Sequence, residues 1–166
     1  MFNIFLVVLL LSVCYEKVSA ATLAPEGKSI GVVGKNLTLT WSYTGTKEPQ
    51  GLTILISPNG SSEYLKIWNV KFDKGMSSVY KIAIPPSSSV YFFNNITRLE
   101  IKTVAGARGK YRFNLHIKRV PRNIASYAFV CKVEEGIWNM YQKIITVKLA
   151  GKDILYFLVL SQMTFN

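Results

Sequence analysis

The sequence predicts an all-β domain, a sandwich of antiparallel sheets. Three observations point there. Between Ala21 and Gly151 apolar residues recur at every second position in short runs, and no apolar pattern of helical period persists for a convincing length. The breaks between runs carry turn-forming residues. The composition, 49% hydrophobic against 17% charged over 166 residues, suits one packed core and excludes a disordered, charge-rich chain.

The first twenty residues, MFNIFLVVLLLSVCYEKVSA, stand apart from this pattern. Phe2 to Val13 is almost wholly apolar, the length of a signal-peptide core, and Val18-Ser19-Ala20 is a small-residue cleavage motif. The n-region has no Lys or Arg. Residues 1–20 are expected to be a signal peptide cleaved after Ala20. Cleavage removes Cys14 and leaves Cys131 as the one mature thiol. It removes Glu16 and Lys17 together, so the formal net charge stays at +11.

Along the domain expected over residues 21–151, Leu37, Leu39 and Trp41 alternate with Thr38, Thr40 and Ser42. Leu99 and Ile101 alternate with Arg98, Glu100 and Lys102, and Phe113, Leu115 and Ile117 with Arg112, Asn114, His116 and Lys118. Phe129 and Cys131 alternate with Ala128, Val130 and Lys132; Ile145, Val147 and Leu149 with Ile144, Thr146 and Lys148. Each run has one apolar and one wetter face, as strands of a two-sheet sandwich require. Gly34-Lys35-Asn36, Ser57-Pro58-Asn59-Gly60, Asp73-Lys74-Gly75 and Gly106-Ala107-Arg108-Gly109 mark loops. Pro85-Pro86-Ser87-Ser88-Ser89 is read as a long edge loop. Residues 152–166 form a short apolar tail. Its run Ile154 to Leu160 falls well short of the about 20 residues of a membrane helix. A membrane anchor is not expected in this chain; the sharper reading of the tail is a truncated anchor whose longer form sits in a membrane.

Taken in order, these runs resemble the strands of an immunoglobulin-superfamily domain of the V type. GKNLTLTWSY is similar to its B strand, RLEIKTV and KYRFNLHIKRV to its D and E strands, SYAFVCKV to its F strand and KIITVKL to its G strand. The resemblance covers roughly residues 28 to 150 and implies an immunoglobulin-like Greek-key sandwich. Trp41 stands where the family has its first core cysteine, and Ile54 or a neighbour where it has the strand-C tryptophan. Ala125 stands where the family has the acidic partner of the arginine matched by Arg98. The resemblance therefore implies a sandwich without the inter-sheet disulfide and without the buried ion pair. Trp41 and Cys131 are expected in the core, with Cys131 a buried free thiol or, alternatively, a bridge to a second chain.

The candidate functional residues fall into three groups. The segment from Glu134 to Tyr141 lies between the last two strands, and its Trp138, Met140 and Tyr141 are expected to contact a protein partner, flanked by Tyr64 and Trp68. Arg98, Lys102, Arg112 and Lys118 are expected to form a basic patch if their strands pair, a surface for anionic glycans. Asn36, Asn59 and Asn95 open glycosylation sequons. With one histidine, His116, and two cysteines, the chain offers no zinc-ligand spacing, no nucleophile–base pair and no phosphate loop. Neither cofactor nor metal is expected, nor enzymatic activity. Nucleic acid is not an expected partner, because the basic run lacks stacking aromatics. The expectation is an extracellular recognition or adhesion protein, secreted or held at the cell surface through a longer isoform. Its partner is a protein, a second copy of itself included. The alternative is a soluble cationic protein binding glycans or microbes through residues 98–122.

Overall fold

The computed structural model describes residues 21–27, 29–59, 61–73, 76–81, 88–105, 109–136 and 139–150. The signal-like residues 1–20 and the tail 152–166 lie outside the described residues. The elements run in the order β1 (Thr22–Glu26), β2 (Ile30–Gly31), β3 (Leu37–Thr44), β4 (Gly51–Pro58), β5 (Leu65–Asp73), β6 (Met76–Lys81), α1 (Ser88–Ile96), β7 (Thr97–Thr103) and β8 (Lys110–Ile117). A 3-10 turn (Ile124–Ser126) follows, then β9 (Tyr127–Glu135), β10 (Asn139–Thr146) and β11 (Lys148–Leu149).

Two antiparallel sheets face each other. One has the order β1-β3-β8-β7, the other β10-β9-β4-β5-β6, and β2 and β11 form a short parallel pair. The chain crosses between sheets from β3 to β4, returns to the first sheet at β7 and β8, and crosses again to β9, which lies beside β4. That is Greek-key connectivity. Period-two alternation produces this arrangement directly. In β3, Leu39, Trp41 and Tyr43 point inward and are buried. Phe113, Leu115 and Ile117 of β8 lie opposite Trp41, Leu39 and Leu37 and share their face. From the second sheet, Ile54 and Ile56 of β4 meet Cys131 and Phe129 of β9 in register, all fully buried. β4 sits centrally in the five-stranded sheet, and its residues Gly51–Ser57 are buried throughout.

Ser88 and Ser89 differ from the sequence reading, while residues 85–87 lie outside the described residues. A nine-residue helix, α1, starts at Ser88 inside the segment read as an edge loop. Val90 and Phe93, three apart, turn into the core, and Ile96 packs partly against it. Phe93 meets the rings of Tyr127 at 4.9 Å and Phe129 at 5.6 Å, both edge-on. A helix this short has little stability of its own; tertiary packing of one face holds it. That is why nine residues behind a Pro-Ser run left no clear helical signature.

At the opposite end of the strands the turns are locked by backbone contacts. Gly45 N donates to Gly109 O at 2.9 Å. Gly109 has φ +74°, and a Cβ there would fall within 2.1 Å of Gly45 O. Only glycine brings the β3–β4 and β7–β8 connections this close.

Candidate recognition face

The outer face of the five-stranded sheet follows from the register. Residues directly opposite share a face, so side chains line up in rows across β10, β9, β4 and β5. One row is Met140, Glu134, Gly51 and Lys71; the next is Gln142, Lys132, Thr53 and Asn69. The third is Ile144, Val130, Leu55 and Lys66, set by a bulge between Ile54 and Leu55. Thr53 Oγ1 donates to Asn69 Oδ1 at 3.1 Å and ties the second row together. Glu134 lies over Gly51, where a Cβ would come within 3.0 Å of Oε2. Thr53, Asn69, Lys66, Lys71 and Glu134 rim an open, polar cleft on this face.

The third row is apolar across three strands. Val130 and Leu55 are buried at its centre, and Ile144 ends it half exposed on β10. Met140, four residues along the same strand face, is 55% exposed. Ile144 and Ile145 are adjacent apolar residues on one strand, so one of them had to face outward. That adjacency was the signal for Ile144, which the sequence reading assigned to a wetter face without a role.

The structure separates the aromatic residues grouped by the sequence. Tyr64 precedes β5 and is 52% exposed, near the Tyr127 end of the face. Trp68 is not on the surface. It is only 5% exposed, and its indole N–H donates to Thr97 Oγ1 at 3.0 Å; it lies opposite inward-facing Ile54 and in phase with buried Val70, and the bulge in β4–β5 pairing beside it puts Tyr64 out of that phase. Tyr141 also faces inward: its ring lies 6.4 Å from that of buried Tyr43, and its hydroxyl donates to Glu135 Oε2 at 3.3 Å. Tyr141 pairs with Val133, the inner-face residue of β9, so strand phase places it there. Burial, with Glu135 beside it, raises the Tyr43 phenol far above its ordinary value. Trp138 lies outside the described residues.

The basic residues do come together on the outer face of the other sheet. β7 and β8 pair with Arg98 opposite His116 and Lys102 opposite Arg112. Like charges directly opposite repel, but two carboxylates intervene. Glu100 Oε2 lies 3.1 Å from Lys102 Nζ and 3.2 Å from His116 Nε2, and accepts from Asn114 Nδ2 at 3.0 Å. Glu26, from β1, pairs with Arg112 at 3.2 Å. His116 is held on both ring nitrogens, its Nδ1 being 2.9 Å from Thr38 Oγ1. Arg98 and Lys118 stay exposed with no ion pair among the described residues. The patch is thus a knitted polar ladder whose two middle cations are matched.

Hydrogen bonds from Asn114, Lys102 and His116 hold the Glu100 carboxyl down, at about 2. Its contribution to stability is present above the ordinary carboxylate range and fades as pH falls through that range towards 2. In acid titrations monitored by circular dichroism, the stability difference between the native chain and Glu100→Gln is expected to be full at pH 6. It should shrink steadily below pH 4.5.

Cys131 is a free thiol, fully buried, and burial pushes its pKa well above the ordinary value. It is out of reach of a second chain's sulfur. Trp41 is also fully buried in the same cluster. Asn36, Asn59 and Asn95 are all exposed. Among the described residues no three His, Cys, Asp or Glu side chains gather as a metal site, and no helix is long and apolar enough to cross a membrane.

Against known proteins, no family's sequence profile matches the chain, and no curated protein matches it. Solved structures do. The structure of murine CRIg, an immunoglobulin-like protein, superposes with a TM-score of 0.51 at 12% identity, over 79% of this chain and 98% of that one. The fold is an immunoglobulin-like sandwich. The likeness lies in the strand arrangement, since the two sequences share so little. In this immunoglobulin-like frame Ile54 sits opposite Cys131 on the neighbouring strand. Phe129, two residues before Cys131, is a fully buried ring without a hydroxyl.

Proposed function

We propose that this chain is an exported, V-like immunoglobulin glycoprotein that recognises a protein partner through the outer face of β10, β9, β4 and β5. The observation that carries the reading is the apolar row Ile144, Val130 and Leu55, with Met140 exposed on the same strand face. An apolar centre bordered by the charged residues Glu134, Lys66, Lys71 and Lys132 is the anatomy of a protein interface. Strands β5 and β6, which extend this sheet beyond β4, support the V-like assignment. Trp41 takes the place of the family's first core cysteine. The apolar leader with its small-residue cleavage motif supports export, and the extracellular space is where such a face meets a partner. A second copy of the chain is the first partner to test. The work is recognition rather than catalysis.

A second reading, anionic glycans at the β7–β8 face, rests on Arg98 and Lys118. Glu100 and Glu26 match Lys102 and Arg112, which weakens that face as an anion site.

Salt separates the two readings. The full chain, secreted from a glycosylating host, is coated on beads and tested for clumping and for capture of cultured cells at low and moderate ionic strength. Attachment through the apolar face persists with salt; attachment through unmatched cations falls steeply. Binding lost on raising the salt would overturn the first reading in favour of the second.

A further inference from the structure

Helix α1 carries an exposed aromatic pair that the recognition face does not use. Tyr91 is 69% exposed and Phe92 40%, at the edge of the sandwich, where α1 packs on β5 and β7. Asn95 lies four residues after Tyr91 and three after Phe92, so all three occupy one side of the helix. Helical side chains tilt towards the N-terminus, so whatever Asn95 bears lies back over Tyr91 and Phe92. Asn95 is exposed and opens the sequon Asn95-Ile96-Thr97.

The other two sequon asparagines have local duties. Asn59 Nδ2 donates to Ala125 O at 2.7 Å, and Asn36 Oδ1 accepts from Arg119 N at 3.2 Å. The Asn95 amide has no hydrogen-bond partner among the described residues. Thr97, by contrast, is buried in the fold, its Oγ1 donating to Phe93 O at 2.6 Å and accepting from Trp68. Its hydroxyl is therefore available to a sugar-transfer enzyme only before the chain folds, as transfer during export requires.

We propose that Asn95 carries an N-linked glycan whose first N-acetylhexosamine stacks on Tyr91 and Phe92. The inference rests on the export reading above. In the transfer, Asn95 Nδ2 forms a bond to C1 of an oligosaccharide, and the C1–oxygen bond to a lipid pyrophosphate donor breaks. The lipid pyrophosphate leaves with the bonding pair, one amide proton is released, and nothing is oxidised or reduced. The sugar's axial C–H groups then cover the aromatic pair, which otherwise faces water beside the core residue Phe93. A glycan there also shields the α1 edge of the sandwich, leaving β10 and its neighbours as the open face.

The test is expression of the full chain in a glycosylating cell, with enzymatic release of glycans in heavy-oxygen water and peptide mass spectrometry at Asn36, Asn59 and Asn95. The peptide bearing Asn95 is expected to be labelled. Deglycosylating the Asn36→Gln/Asn59→Gln chain should lower its melting midpoint by about 3 °C, and should leave that of the same chain with Tyr91→Ser/Phe92→Ser unchanged. Secretion with label only at Asn36 or Asn59 overturns the inference and leaves export intact. An unprocessed chain without label at any of the three overturns both. Label at Asn95 with the same loss of midpoint in both backgrounds overturns the stacking.

Discussion

Trp41→Ala is expected to destabilise the sandwich by about 3–5 kcal/mol, read as a lowered urea midpoint at unchanged m-value. Trp41 is fully buried, in a cluster that includes Leu39, Phe113, Ile54 and Cys131. Burying an indole removes about 150–250 Å² from water, worth about 4–6 kcal/mol as an upper bound. An inter-sheet disulfide closing a loop of some 90 residues stabilises by about 4–5 kcal/mol in the chain-entropy account. The two are comparable, so a sandwich with a free Cys131 does not need the bridge. The indole N–H of Trp41 has no partner among the described residues. Trp41→Phe removes that unsatisfied donor along with some area and should therefore cost less than about 1.5 kcal/mol. An unchanged midpoint in the alanine chain would place Trp41 outside the core.

Phe93→Ala is expected to cost about 3–5 kcal/mol as well, although it belongs to a nine-residue helix at the sandwich edge. Its ring is fully buried between Tyr127 and Phe129, and it is the main contact by which α1 enters the core. The adjacent Phe92, 40% exposed, is the control: Phe92→Ala should cost less than about 1 kcal/mol in the deglycosylated chain. Equal losses in the two variants would mean that α1 does not dock as described.

Phe93 also marks where the sequence stopped being legible. The strands β3, β7, β8, β9 and β10 could be read because alternation records which side of a sheet meets the core. The facing of Trp41 and Cys131 followed from the same phase. Helix α1 could not be read that way: its one buried face amounts to Val90, Phe93 and part of Ile96, too few positions to fix a period. Trp68 was misplaced for a different reason. A bulge shifts the β4–β5 register between Ile54 and Leu55, and simple alternation carries no record of a bulge. Tyr141 shows the reverse case, where an aromatic close to a loop invited a recognition role while strand phase already placed it inward opposite Val133. The basic ladder was half legible. The outward phase of Arg98, Lys102 and Arg112 followed from alternation, but the pairing of β7 with β8 entered only as a condition, and the neutralising reach of Glu26 came from β1, distant in the chain.

The proposed function stands or falls with contact between a protein and the outer face of the five-stranded sheet. The most direct measurement compares two double variants in one binding assay, on whichever surface the native chain attaches to. Met140→Asp/Ile144→Asp places two charges in the apolar part of the face, and Arg98→Ala/Lys118→Ala removes the two unmatched cations. The account predicts at least an about 30-fold loss of affinity for the first pair, the scale of a truncated hot spot, and native affinity for the second, with both chains folded. Native affinity in the Met140→Asp/Ile144→Asp chain, with binding lost in the Arg98→Ala/Lys118→Ala chain, would contradict it.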